Sequence, residues 1–306
     1  MRVRFECPLD FISVETFKDA IKNFDLVIDD SDPELIVVNP GTELFLDYKH
    51  FSHYKNLKVV ATPSTGTNHI DVATLKKMNI SVLCLLDDRQ TLDNIHASAE
   101  FTWLHIMNLV RKFSKALTSV DDWRSKQNEE FLRSNELHSK KIGIIGFGRI
   151  GKKIANYANA FGLHIMVYDP YVFEYPSYVE KVSGITSLNN CDIISINCYL
   201  TEETRGMITY GTLDQLKQGA IVVNTSRGEV VDEDYILHLI DSKNILFGAD
   251  VLQNEQNILE LKKSKLYNAS KTNSNVAITP HVAGATTESQ LKAFVSVLKL
   301  SKQFIV

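Results

Sequence analysis

Cysteine is scarce in this chain. Cys7, Cys84, Cys191 and Cys198 are the whole complement in 306 residues, and no two of them form a C-x-x-C pair. That spacing argues against a disulfide framework or a zinc site and predicts reduced, mostly buried thiols. Long apolar runs are missing as well. No stretch approaches the ~20 residues that cross a bilayer, and an acid, Glu6, stands where a secretory leader would want an apolar core. The expectation is a cytoplasmic protein with no membrane partner. Charge of one sign is not in excess either: 33 Lys and Arg against 37 Asp and Glu leave a net charge of −4. Such a chain has no global basic footprint for nucleic acid or an anionic surface. There is no internal repeat and no low-complexity tract, and 44 % apolar with 23 % charged residues describes a globular chain, not a disordered or fibrous one.

What the chain does contain is alternation. Apolar, β-branched runs at 2–7, 26–28, 35–38, 57–61 and 81–85 read as strands, and helical spacing of apolar positions falls between them at 14–24, 44–51 and 72–78. A long apolar helix is predicted over 97–115, followed by an aperiodic polar stretch at 121–130 that on composition is the best place for a domain join. A second series follows, with strands at 141–145, 165–168, 192–197, 220–224, 245–249 and 276–279 and helices at 149–161, 232–240 and 287–305. This order, in a chain long enough for about two domains, predicts α/β architecture with two doubly wound parallel-sheet domains.

The strand at 141–145 runs directly into Gly146-Phe147-Gly148-Arg149-Ile150-Gly151, and a helical pattern continues from there. Gly146 permits a tight turn, Gly148 lets a pyrophosphate approach the backbone, and Gly151 lets helix and strand pack closely, so phosphates would meet free N–H groups at a helix N-terminus. The next strand ends in Asp169, where a carboxylate accepts hydrogen bonds from the adenosine ribose and repels a 2′-phosphate. Strand, glycines, helix and terminal acid together predict a dinucleotide site that prefers NAD.

Three further strand ends carry chemistry. Arg227 follows the strand at 220–224, where a guanidinium fork can hold a carboxylate. Asp250 and Glu255 follow the strand at 245–249. His281, one of nine histidines, stands just after Thr279-Pro280 at the end of the last strand, and histidine is the usual acid near neutral pH. Taken singly, each has a plain structural use: an ion pair of Arg227 with Glu229 or Asp232, a solvated loop acid at Glu255, a structural histidine at 281.

Together with Ser64-Thr65-Gly66-Thr67-Asn68-His69-Ile70-Asp71, Ala99-Glu100, Tyr168–Tyr171, Leu200–Gly206, Asn224–Asp232 and Pro280–Gly284, these segments resemble the D-isomer-specific 2-hydroxyacid dehydrogenases, in the branch that includes phosphoglycerate dehydrogenase. The match runs in consistent order from about residue 57 to 287, and the first fifty residues match weakly. The resemblance implies that Arg227 binds the substrate carboxylate, that His281 is the acid/base and that Glu255 is its partner. Thr65 and Gly66 would complete the carboxylate pocket through their backbone N–H groups. Gly146, Gly148, Arg149, Ile150, Gly151, Asp169, Cys198, Thr225, Asp250 and Gly284 would contact the cofactor, NAD, with Asp250 near the carboxamide. It also implies a smaller flavodoxin-like substrate domain of residues 1–98 plus 284–306, a Rossmann NAD-binding domain of residues 99–283, and a homodimer. Two positions depart from the pattern: Gln256 follows Glu255 where proline is usual, and Tyr199 stands where proline is common.

The expected activity is hydride exchange between NAD(H) and a small 2-keto acid/D-2-hydroxy acid pair. Phosphoglycerate dehydrogenases place arginine after the strand that here is 35–38, whereas this chain has Asn39-Pro40-Gly41-Thr42. An uncharged or modestly polar substrate is therefore expected, with Asn39 offering its amide to it. The alternative class is a binding module related to the dehydrogenase-like corepressors, which would sense NAD(H) and act through protein partners.

Overall fold

In a computed structural model that describes residues 1–6, 14–38, 45–67 and 69–305, the chain divides into two compact units. The first comprises Met1–Ile95 with Gly284–Val306, and the second His96–Ala283.

Strands β1 (Arg2–Glu6), β2 (Val27–Ile28), β3 (Leu35–Val38), β4 (Val59–Thr62) and β5 (Ser81–Cys84) form the sheet of the first unit. All pairings are parallel, in the order β2-β1-β3-β4-β5, the flavodoxin-like arrangement with a reversal between β1 and β3. Both faces are covered, which is why the central strands read as continuous Val, Ile and Leu. Ile36, Val38 and Val60 pack with Phe51 and Leu75 on one side. Leu35, Val37 and Val59 pack with Phe294, Val297 and Leu298 on the other. Those last three lie on helix Thr287–Ser301, so the end of the chain completes the core that its beginning opens.

The sheet of the second unit contains β6 (Lys141–Ile145), β7 (His164–Tyr168), β8 (Val179–Lys181), β9 (Ile193–Ile196), β10 (Ile221–Asn224), β11 (Leu246–Ala249) and β12 (Val276–Ile278). Again every pairing is parallel, in the order β12-β11-β10-β9-β6-β7-β8. From β6 the chain steps outward to β7 and β8, returns, and steps the other way from β9 to β12. This is the Rossmann arrangement, with its switch point between β6 and β9, and ligand crevices in such sheets open at the carboxyl ends of the strands there. Successive residues feed opposite cores: Ile194, Ile196 and Val222 one, Ile193, Ile221 and Val223 the other.

Four details differ from the sequence reading. The helix predicted over 97–115 is two, Ala97–Arg111 and Phe113–Leu117, because Lys112 takes a left-handed backbone (φ +51°) and Asn108 Oδ1 accepts from both the N–H and the hydroxyl of Ser114. Of the helix predicted at 44–51, residue 44 lies outside the described residues, and over 45–51 the helix spans Tyr48–Phe51, since the Asp47 carboxylate caps the N–H groups of Lys49 and His50 and Leu46 instead bridges to Ile70. The polar stretch at 121–130 is no domain join but lies inside the second unit, where the Ser125 side chain caps helix Lys126–Leu132. Three-residue β8 is too short to show periodicity and was not anticipated. Of the thiols, Cys84 and Cys191 are buried and Cys198 is half-buried, all three free, while Cys7 lies outside the described residues.

Candidate active site

The first element of the site is the turn after β6. Gly146 sits at φ +89°, and a Cβ there would come within 2.8 Å of the Asn197 carbonyl oxygen at the end of β9. Helix Arg149–Ala160 begins at Gly148, which has no side chain to cap it. A Cβ on Gly148 would meet nothing within 4 Å, so open space adjoins the helix N-terminus. A Cβ on Gly151, in contrast, would lie 2.1 Å from the Gly146 carbonyl oxygen, which is the close packing that turn and helix require. Asp169, at the end of β7, ties itself to the same turn: one carboxylate oxygen accepts the Phe147 N–H at 2.7 Å and the other the Tyr171 N–H at 2.9 Å. About half of the carboxylate's acceptor capacity remains for a ligand's hydroxyls. Uncapped helix, open cradle and anchored acid fit a dinucleotide.

The second element gathers three strand ends. Glu255 Oε1 lies 2.6 Å from His281 Nδ1, and Glu255 Oε2 accepts the Leu252 N–H at 3.0 Å, which fixes the carboxylate in place. The His281 side chain is 52 % exposed, and its other ring nitrogen is not engaged by Glu255. Above all through this hydrogen bond, Glu255 holds the His281 pKa above its ordinary value, against the opposing effects of burial and of the Arg227 cation. Arg227 itself makes no ion pair among the described residues. Its Nη1 donates to the Ser226 carbonyl at 2.7 Å, and its own carbonyl accepts from Asn224 Nδ2 at 2.9 Å. Neither acid that the sequence offered it, Glu229 or Asp232, pairs with it, and Asp232 is committed elsewhere, capping the helix Glu233–Lys243 and accepting from Thr209. A guanidinium without a carboxylate partner beside a protonatable imidazole can bind a substrate carboxylate and exchange a proton with an adjacent oxygen.

Comparison with known proteins decides the family. The profile described as D-isomer specific 2-hydroxyacid dehydrogenase, NAD binding domain, matches residues 103–283, more than half of the chain. The chain belongs to the D-isomer-specific 2-hydroxyacid dehydrogenase family. It is 31 % identical to a hydroxypyruvate reductase of Thermotoga maritima over 87 % of this chain and 83 % of that protein. It is 29 % identical to a D-3-phosphoglycerate dehydrogenase of Bacillus subtilis over 89 % of this chain but only 49 % of that one, so it spans about half of the latter's length. Among solved structures, a D-lactate dehydrogenase of Aquifex aeolicus in complex with NAD and lactic acid matches with a TM-score of 0.77 and 28 % identity over 100 % of this chain and 95 % of that chain. As a member of the family the chain is an NAD-linked oxidoreductase acting on CH–OH donors.

Within this dehydrogenase the remaining predicted positions are placed as follows. Arg149 and Ile150 open the helix after the glycine turn, both half-buried. Cys198, just beyond β9, is half-buried, and desolvation pushes its thiol up to about 11, which leaves it protonated. Thr225 is buried, with its hydroxyl 2.6 Å from that of Thr102. Asp250 is 1 % exposed, and its carboxylate accepts bonds from the Thr279 hydroxyl and from the N–H groups of Val282 and Ala283. Thr65 and Gly66 follow β4 in the first unit, where Ser64 Oγ donates to the Gly66 carbonyl at 2.7 Å. Gly284 opens the second segment of that unit, and its carbonyl accepts from Ser289 Oγ. Asn39 and Asn68 lie outside the described residues.

Two features escaped the sequence reading. Gly228 is packed so tightly that a Cβ on it would lie 2.0 Å from the Leu252 carbonyl carbon, and this contact draws the Arg227 loop against the loop of Glu255. His281 itself adopts φ +54°, a conformation that costs a non-glycine residue about 1–3 kcal/mol. A Gly directly after an arginine at a strand end is the only cue the first offered; the second had none.

Proposed function

We propose that this dehydrogenase interconverts a small, uncharged or modestly polar 2-keto acid and its D-2-hydroxy acid, with NAD(H) preferred over NADP(H). The pairing of Glu255 with His281 at 2.6 Å, together with an Arg227 that makes no ion pair among the described residues, carries the reading. Bound NADH supplies the hydride. In reduction His281, protonated and stabilised by Glu255, gives a proton to the carbonyl oxygen as it becomes a hydroxyl, and in oxidation it takes that proton back. Arg227 holds the substrate carboxylate and stabilises the charge that grows on the neighbouring oxygen. Asp169 receives the ribose hydroxyls, and its charge works against a 2′-phosphate.

The substrate preference rests on the absence of arginine and lysine from residues 39–48, while Lys49 and Lys55 are exposed on and after the helix Tyr48–Phe51. A doubly charged phosphate entering a partly desolvated site needs cationic partners. The test is kcat/KM for hydroxypyruvate, pyruvate, 2-ketoisocaproate, phenylpyruvate and 3-phosphohydroxypyruvate, each with NADH and NADPH. The uncharged acids with NADH are expected to lead, and a tenfold advantage for the phosphorylated compound or for NADPH would refute the respective half of the proposal. The working assembly we take to be a homodimer, a reading supported by the exposed Leu104, Phe113, Leu117, Val120, Trp123 and Phe131 along 104–131.

A further inference from the structure

Helix Ala97–Arg111 carries another histidine into the second unit, and no step described so far uses it. His105 is 4 % exposed. Its Nε2 lies 3.0 Å from Thr279 Oγ1, and that oxygen lies 2.6 Å from Asp250 Oδ1. The direction of these bonds follows from the donors available. An ionised carboxylate only accepts, so the single Thr279 proton goes to Asp250; Thr279 Oγ1 then accepts from His105, whose proton is on Nε2. Burial holds the His105 pKa below its ordinary value, against the smaller pull of the Asp250 charge, so the ring is neutral as the chain of bonds requires. Room for the ring is made on β11, where a Cβ on Gly248 would crowd His105 Nδ1 at 3.1 Å and Leu109 Cδ1 at 3.0 Å.

Asp250, the end of this chain of bonds, holds the turn that carries His281. Its carbonyl accepts the His281 N–H at 2.9 Å, and its carboxylate accepts the next two amides, Val282 at 3.0 Å and Ala283 at 2.7 Å. Three successive N–H groups thus converge on one buried residue. His281 sits first among them, in the left-handed region that a side chain resists. Such a conformation persists only where its surroundings over-determine it.

We propose that His105 and Thr279 are positioning residues for His281: the His105 N–H orients the Thr279 hydroxyl, the hydroxyl and two backbone amides fix the buried Asp250 carboxylate, and Asp250 locks the left-handed turn that presents His281 to Glu255. The inference rests on the reading of His281 as the acid/base. The charged groups that act on His281 among the described residues are Glu255, Arg227 and Asp250, and Glu255 acts through a direct hydrogen bond to Nδ1, whose geometry is set by the aim of the turn.

The test compares His105→Leu and Thr279→Val with the donor-retaining His105→Gln and Thr279→Ser, using full-length enzyme whose NADH binding is followed by fluorescence. For 2-keto acid reduction, His105→Leu and Thr279→Val are expected to lower kcat by about tenfold, because a misaimed acid costs turnover more than binding. The KM values for NADH and keto acid stay within about twofold of wild type. The alkaline limit of the kcat profile moves to lower pH as the Glu255 contact loosens. His105→Gln and Thr279→Ser recover most of the loss. A kcat within twofold of wild type and an unmoved pH profile in both truncated variants would overturn the proposal, and so would equal losses in the truncated and the donor-retaining variants, which would mark the site as packing alone. His281→Ala run in parallel separates the two claims: if it keeps turnover, the acid/base reading fails, whereas if it is inactive and His105→Leu is unaffected, only the positioning role fails.

Discussion

The turn after β6 and the turn after β12 leave the same end of the same sheet, and both place a residue in the left-handed region, Gly146 at φ +89° and His281 at +54°. The first does so with a residue that has no Cβ to object, inside a run of three glycines that is complete within six positions. The second does so with an imidazole, and the strain is offset by bonds from Asp250, 31 residues earlier, and through Thr279 from His105, 176 residues earlier. A turn built from glycine is a local property that tolerates much around it. A turn built on a functional side chain depends on a buried polar network, and such networks matter most when they are fully satisfied. Cofactor binding and proton transfer should therefore be separable by mutation, although they share one sheet.

The widest separation should come from His281→Ala. Turnover is expected to fall by about 10²–10⁴, while NADH binding, read by fluorescence titration, is retained. A parallel loss of NADH affinity would break the comparison by showing the two turns to be one unit.

Arg227→Lys should follow, with kcat/KM lower by roughly two orders of magnitude because an ammonium cannot reproduce the two-pronged grip of a guanidinium. The melting temperature should stay within a few degrees, since among the described residues the Arg227 side chain makes one hydrogen bond, to the Ser226 carbonyl. Activity that falls only in step with stability would make Arg227 a structural residue.

Gly148→Ala reverses the pattern. The added methyl meets no protein atom, so stability should hold, but it occupies the approach to the helix N-terminus and should weaken NADH binding by about tenfold, or ~1.4 kcal/mol. Gly151→Ala sharpens the contrast: with its Cβ 2.1 Å from a backbone oxygen, it should lose melting temperature as well as affinity. Titration and thermal denaturation of both variants distinguish ligand approach from packing.

The smallest effect is expected from Glu255→Gln, seen in a pH profile. Glu255 raises the His281 pKa, so the protonated acid persists to higher pH than an ordinary imidazole would allow. Removing the carboxylate charge lowers the pKa and moves the alkaline limit of keto-acid reduction to lower pH. The linked stability has the same sign: the contact stabilises the fold fully below the ordinary imidazole value, and its contribution fades as pH rises through the raised value. An unmoved limit in steady-state profiles would transfer the partner role to another residue.

The central strands, the glycine turn and Asp169 were legible in the sequence because each is written in neighbouring residues. Continuous Val, Ile and Leu mean a strand covered on both faces, and Gly-x-Gly-x-x-Gly between strand and helix means an open helix N-terminus. By their own spacing Arg227, Glu255 and His281 were legible only as strand-end residues, each with an ordinary use by itself; as a group they were legible only through the family resemblance. Their assembly came from contacts without a local signature: the close approach of Gly228 to Leu252, the Leu252 amide on Glu255, and the Asp250 oxygens that hold the turn of His281. His105 is the clearest case. On its helix it reads as one more residue among Trp103, Ile106 and Leu109, and its distinction lies in Thr279, which reaches it only when β12 is laid beside β11. Local sequence sets what a backbone segment can adopt by sterics and by which face is apolar. Which polar groups become each other's only partners is set by burial, and burial exists only once distant segments have packed.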